Sequence, residues 1–73
     1  MKSYTKIIKI RSDIRFGKPC VRETRISVYD VLSWLATGMT QKEIIKDYPE
    51  LSKEDIQACL AYAADREQRI RVA

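Results

Sequence analysis

Three times between residues 27 and 55 this chain sets a Ser or Thr three residues ahead of an Asp or Glu: Ser27–Asp30, Thr40–Glu43 and Ser52–Asp55. That spacing starts a helix. The hydroxyl accepts a hydrogen bond from the backbone N–H three residues on, and the carboxylate accepts one from the N–H of the capping residue. After the first box, Val28, Val31, Leu32 and Leu35 fall at i, i+3, i+4 and i+7, one face of a helix. Trp34 lies off the centre of that stripe, where it would border a second contact surface. Gly38 is placed to close this helix in a left-handed conformation. The second box opens a short helix through Ile44, Ile45 and Tyr48, and Pro49 disfavours helical geometry at the residue before it. The third starts a longer helix, with Ile56, Leu60 and Ala63 as its expected buried face and an end near Arg69.

Upstream, the signals change period. Residues 1–5 carry none and are expected to fray. Lys6–Arg11 is rich in isoleucine and too short for a helix, so it is predicted as a strand. Gly17 and Pro19 mark Ser12–Cys20 as a turn or loop. Val21–Ile26 is predicted as a second strand, bulged or only partly paired because Val21 and Ile26 differ in parity. The expected fold is mainly α with short N-terminal β-strands, a single domain over residues 1–73. Its basic strand region covers about 6–26 and its trihelical region about 27–69. Three helices joined by short turns resemble a helix-turn-helix domain in outline.

A chain of 73 residues buries only about 60% of its unfolded surface, so its own core is marginal and extra stability must come from elsewhere. Two cysteines, Cys20 and Cys59, and no histidine cannot supply the four ligands of a tetrahedral zinc site. No secretory leader is evident and no stretch approaches a membrane span, so the expected setting is cytoplasmic with both thiols reduced. A partner protein or a second copy is then the expected source of stability. Catalysis is not expected. Without histidine there is no ready general base near neutral pH. Cys20 lies in a basic stretch that favours a thiolate, but it has no evident base partner, and cysteine packs well as a small hydrophobe. No cofactor or metal is called for.

The net charge of +4 is unevenly placed. Residues 1–25 hold eight Lys or Arg against Asp13 and Glu23, a balance of +6, and residues 26–73 hold six against eight, a balance of −2. A basic arm of this kind meets something anionic or protects a strand edge from aggregation. Lys6, Lys9, Arg11, Arg15, Lys18, Arg22 and Arg25 are therefore the DNA-binding candidates. The third helix is a poor reader of DNA, since Glu54 and Asp55 in its first turn would face phosphates. At the other end, Arg66, Arg69 and Arg71 beside Ile70 are either a solvated helix terminus or planar cations offered to a carboxylate-rich pocket.

Gly17-Lys18-Pro19-Cys20-Val21-Arg22, followed by Thr24-Arg25-Ile26 and Val28, resembles the GxPCIRGTRIxV signature of the domain of unknown function 433 family. The segment from Gly38 to Glu67 is similar to that family's later helices, and the resemblance runs from about Ile7 to Glu67. Glu23 stands where the family usually has glycine, so a left-handed turn there would be strained or reshaped. The resemblance implies a homeodomain-like or winged helical domain and a VapB-type antitoxin, often paired with a PIN-like ribonuclease toxin. It also implies operator binding as a dimer in many such systems. On that basis Arg66, Arg69, Ile70 and Arg71 become toxin-binding candidates. A stand-alone, homo-oligomeric DNA-binding regulator is the alternative.

Overall fold

The computed structural model describes residues 2–70, and side chains only within 4–68. Two strands, β1 (Ile8–Ile10) and β2 (Pro19–Val21), precede three helices, α1 (Val28–Ala36), α2 (Gln41–Asp47) and α3 (Lys53–Ile70). A 3-10 turn, Lys2–Lys6, leads into β1. The result is a mainly α domain with a short two-stranded antiparallel sheet near its N-terminus.

All three capping boxes form. Ser27 Oγ and Asp30 Oδ2 exchange 3.0 Å hydrogen bonds with each other's backbone N–H. Thr40 with Glu43 and Ser52 with Asp55 repeat the arrangement. Gly38 adopts φ 104° just beyond α1. Its N–H donates to Leu35 O and that of Met39 to Trp34 O, which together close a Schellman motif and satisfy two orphan carbonyls. Trp34 stacks on Tyr48 with ring centroids 4.2 Å apart, so its side of α1 meets the end of α2.

The core joins both halves of the chain: Tyr4, Ile7, Ile8 and Val21 pack with Val28, Val31, Ile44, Leu51, Ile56 and Cys59. Three expectations need correction. Of the end expected to fray, the segment from Lys2 is ordered into the 3-10 turn, and Tyr4 is buried, with its ring against Tyr62 and its hydroxyl donating to the Asp65 carboxylate. The strands are shorter than Lys6–Arg11 and Val21–Ile26, and the second is shifted towards the N-terminus. Ile8 pairs with Val21, Lys9 with Cys20 and Ile10 with Pro19. Arg22 then turns left-handed at φ 47°, so the strand cannot continue towards Ile26. Finally, Leu60 is 36% exposed, and the buried stripe of α3 runs through Asp55, Ile56, Ala58 and Cys59.

Both thiols are free and buried. The Cys20 thiol donates to Lys18 O at 3.4 Å. Burial, with Asp55 adding a like charge, pushes the Cys59 thiol up to about 12. Among the described residues no helix is long and apolar enough to cross a membrane.

Candidate functional site

The basic segment is ion-paired with the chain's own carboxylates at three of its arginines. Arg22 donates from Nε to Asp55 Oδ1 at 2.9 Å and from Nη2 to Glu54 Oε1 at 3.3 Å. Asp55 is only 2% exposed, so this pair ties the end of β2 to the first turn of α3 and matches a charge that α3 would otherwise bury alone. It also explains how a non-glycine residue holds a left-handed conformation. Arg11 pairs with Glu23 and donates to Arg22 O at 3.1 Å. Glu23 itself is not left-handed. The positive φ falls one residue earlier, and glutamate in place of the family's glycine gives Arg11 a carboxylate partner.

Arg15 is the third. Its Nη1 reaches Arg25 O at 2.7 Å and Asp30 Oδ2 at 3.1 Å. Burial pushes the Asp30 carboxyl up, but the Ser27 backbone N–H, the Arg15 guanidinium and the Ser27 hydroxyl outweigh it, and the net shift is downward. Arg15, Phe16 and Gly17 all have positive φ, at 51°, 57° and 80°. Each left-handed non-glycine residue costs roughly 1–2 kcal/mol. The turn so held projects Phe16 into solvent, 98% exposed. Tyr29, in the first turn of α1 beside Asp30, is 71% exposed, and Ile10, opposite Pro19, is 63% exposed.

Beside this surface lies a groove of about 510 Å³ between the start of β2, α1 and the C-terminal half of α3. Pro19, Val28, Leu32 and Ala63 give it apolar walls, with Tyr29 and Tyr62 among its lining side chains. Lys18 lines it from the β2 side, and Arg66 and Glu67 from α3. The Arg66 guanidinium carbon sits 5.9 Å from the centroid of the Tyr62 ring, and that ring is braced edge-on by Tyr4 at 5.6 Å. Cation–π contact of this kind orients the guanidinium.

Of the seven DNA-binding candidates, Arg11, Arg15 and Arg22 are thus ion-paired with the chain's own carboxylates, Arg22 while still exposed. Lys6, Lys9, Lys18 and Arg25 are exposed. Glu54 and Asp55, expected to face phosphates, face Arg22 instead. Of the toxin-binding candidates, Arg66 lines the groove, whereas the side chains of Arg69 and Ile70 and all of Arg71 lie outside the described residues. Lys18 and Arg66, from clusters 48 positions apart in sequence, line one groove. Sequence reasoning passed over Phe16 and Tyr29. The signals were there: the chain's single Phe sits in a charged Gly/Pro turn, and Tyr29 falls off the apolar stripe of α1. Among the described residues no cluster of three or more Cys, Asp or Glu is placed to hold a metal ion.

A family described as "Protein of unknown function (DUF433)" matches residues 8–63. Uncharacterized protein y4eO of Sinorhizobium fredii is 36% identical over 58 residues. That match takes in 80% of this chain but only 26% of the relative, so the chain spans about a quarter of that protein's length. The crystal structure of a DUF433 member from Anabaena variabilis superposes with a TM-score of 0.79 at 30% identity. It covers 86% of this chain and 62% of the crystallised one.

Proposed function

The chain belongs to the DUF433 family, and from that premise we propose that it is a non-enzymatic, antitoxin-like protein that binds and neutralises a PIN-like ribonuclease. One observation carries the reading. The molecule pairs three of its N-terminal arginines with its own carboxylates and leaves Phe16, Tyr29 and Ile10 exposed, Tyr29 among the side chains that line an apolar groove. Protein interfaces are anchored by aromatic side chains, whereas a phosphate-binding surface would keep its guanidinium groups free of carboxylate partners. Arg66, Arg69 and Arg71 are the proposed inhibitory cations, with Ile70 against the apolar rim. Carboxylates that hold a divalent metal repel one another when it is absent, and a guanidinium pairs with them in bidentate fashion. The proposed setting is cytoplasmic, with the protein acting as a homodimer.

The test is co-expression and co-purification with the product of the adjacent reading frame, followed by a ribonuclease inhibition assay. Changing Arg66, Arg69 and Arg71 to Ala, or deleting residues 66–73, is expected to weaken inhibition by about 2–5 kcal/mol of binding energy, at least tenfold in Kd. Full inhibition by both variants would show that these arginines are a solvated helix end. A second reading, a stand-alone DNA-binding regulator, is favoured by the exposed Lys6, Lys9, Lys18 and Arg25. It requires salt-sensitive DNA binding that falls when those four are changed to Ala.

A further inference from the structure

We infer that the groove between β2, α1 and α3 receives an apolar segment of the partner protein that carries carboxylates on both sides of its anchoring residues. The inference rests on the protein-binding reading above and adds where the partner docks and what chemistry it brings. Pro19, Val28, Leu32 and Ala63 offer only apolar surface, and the volume of about 510 Å³ falls in the range of about 300–1,000 Å³ that accommodates a small ligand or a few side chains. Charge then selects among apolar occupants. Lys18 lines the β2 side and Arg66 the α3 side, and among the described residues Glu67 is the single lining carboxylate. Lys18 is exposed, and no ion pair holds it among those that tie Arg11, Arg15 and Arg22 to carboxylates. Arg66 is held over Tyr62, which lowers the entropy lost when it pairs with a carboxylate.

A second copy is the wrong occupant on the same grounds. It would bring its own Lys18 and Arg66 and a further net charge of +4 against these cations. A nucleic acid would satisfy the cations but leave the apolar walls against a sugar–phosphate chain.

The experiment uses the full chain, isotopically labelled for NMR, and two synthetic 14-residue peptides. They share Leu and Phe anchors at the same positions, with Glu at every charged position in one and Lys in the other. The expected result is that the glutamate peptide shifts the resonances of Tyr29, Leu32, Tyr62 and Ala63. It should bind at least tenfold more tightly than the lysine peptide, a preference that shrinks as salt rises. The double variant Lys18→Glu with Arg66→Glu should reverse the order of affinities. The milder Lys18→Gln with Arg66→Gln should abolish the preference and serves if the double reversal unfolds. Equal affinity for the two peptides, no binding of either, or shifts confined to α2 overturns the inference. So do concentration-dependent shifts of the groove resonances without peptide, which would place a second copy there. If Lys18→Glu, which leaves the proposed inhibitory arginines intact, still inhibits the nuclease fully, the groove assignment fails and the antitoxin reading stands. If the unaltered chain does not inhibit, the antitoxin reading fails while the peptide preference still decides the groove.

Discussion

The two regions of this domain are built by opposite means. From Ser27 onward, each helix is opened by a cap whose partners lie three residues apart, and α1 is closed by a glycine two residues past its end. Before Ser27, the shape depends on residues far away in sequence. Arg22 holds its left-handed turn through Asp55, 33 residues on, and Arg15 is anchored by Asp30. Local rules build the scaffold, and long-range ion pairs hold the segment that presents the exposed side chains. Strained backbone therefore collects where the surface is unusual, at Arg15, Phe16 and Arg22.

The sharpest test compares two capping boxes. Asp55→Ala removes a cap and, with it, the buried carboxylate that Arg22 ties to β2, so a loss of about 2–3 kcal/mol is expected. Thr40→Ala removes only an exposed cap and should cost about 1 kcal/mol. Urea denaturation with a common slope measures both. Equal losses would mean that the two regions are not built differently after all.

Cys59 lies among core residues contributed by both regions and probes them together through pH. Its thiol ordinarily titrates near 9 and is pushed up to about 12 here, chiefly by burial and secondarily by Asp55. The folded state thus favours the neutral thiol. This contribution to stability is complete below about pH 9 and is lost as pH rises from about 9 towards about 12. Chemical denaturation as a function of pH should show Cys59→Ala losing less stability across that window than the unaltered chain. Parallel curves would mean the thiol is not held neutral by the core.

The smallest expected effect has the opposite sign. Phe16 is left-handed and makes no core contact, so Phe16→Gly should stabilise the fold by about 1 kcal/mol. The same change should weaken binding of the partner nuclease if Phe16 is an anchor. A variant that is both more stable and fully active would show that the exposed ring is incidental.

What could be foreseen from sequence follows the same division. The helices, their caps and the Gly38 turn were legible because each depends on neighbours three or four residues away. The burial of Asp55 and the exposure of Leu60 are not legible in helical periodicity, because the buried face of α3 is set by its packing against the N-terminal turn, β1 and α1, and Asp55 is matched there by Arg22. The second strand was set too late because nothing in Val21–Ile26 announces that Arg22 turns left-handed. The groove was invisible for a related reason. Lys18 and Arg66 belong to different charge clusters, and only the packing of α3 against the rest of the domain brings them to one groove.

The bond between Tyr4 and Asp65 spans 61 positions, nearly the whole chain. Closing a loop of that length costs on the order of 3 kcal/mol more entropy than closing one of three residues. The capped helices can form and collide before that closure is favourable, so the N-terminal turn is expected to dock late, and Tyr4→Phe should then raise the unfolding rate while leaving the folding rate unchanged. An interaction that forms after the rate-limiting barrier adds nothing to the speed of folding and acts instead on the rate of escape from the native state. The clasp is in this sense a latch: it sets how long the assembled domain stays closed rather than how quickly it assembles.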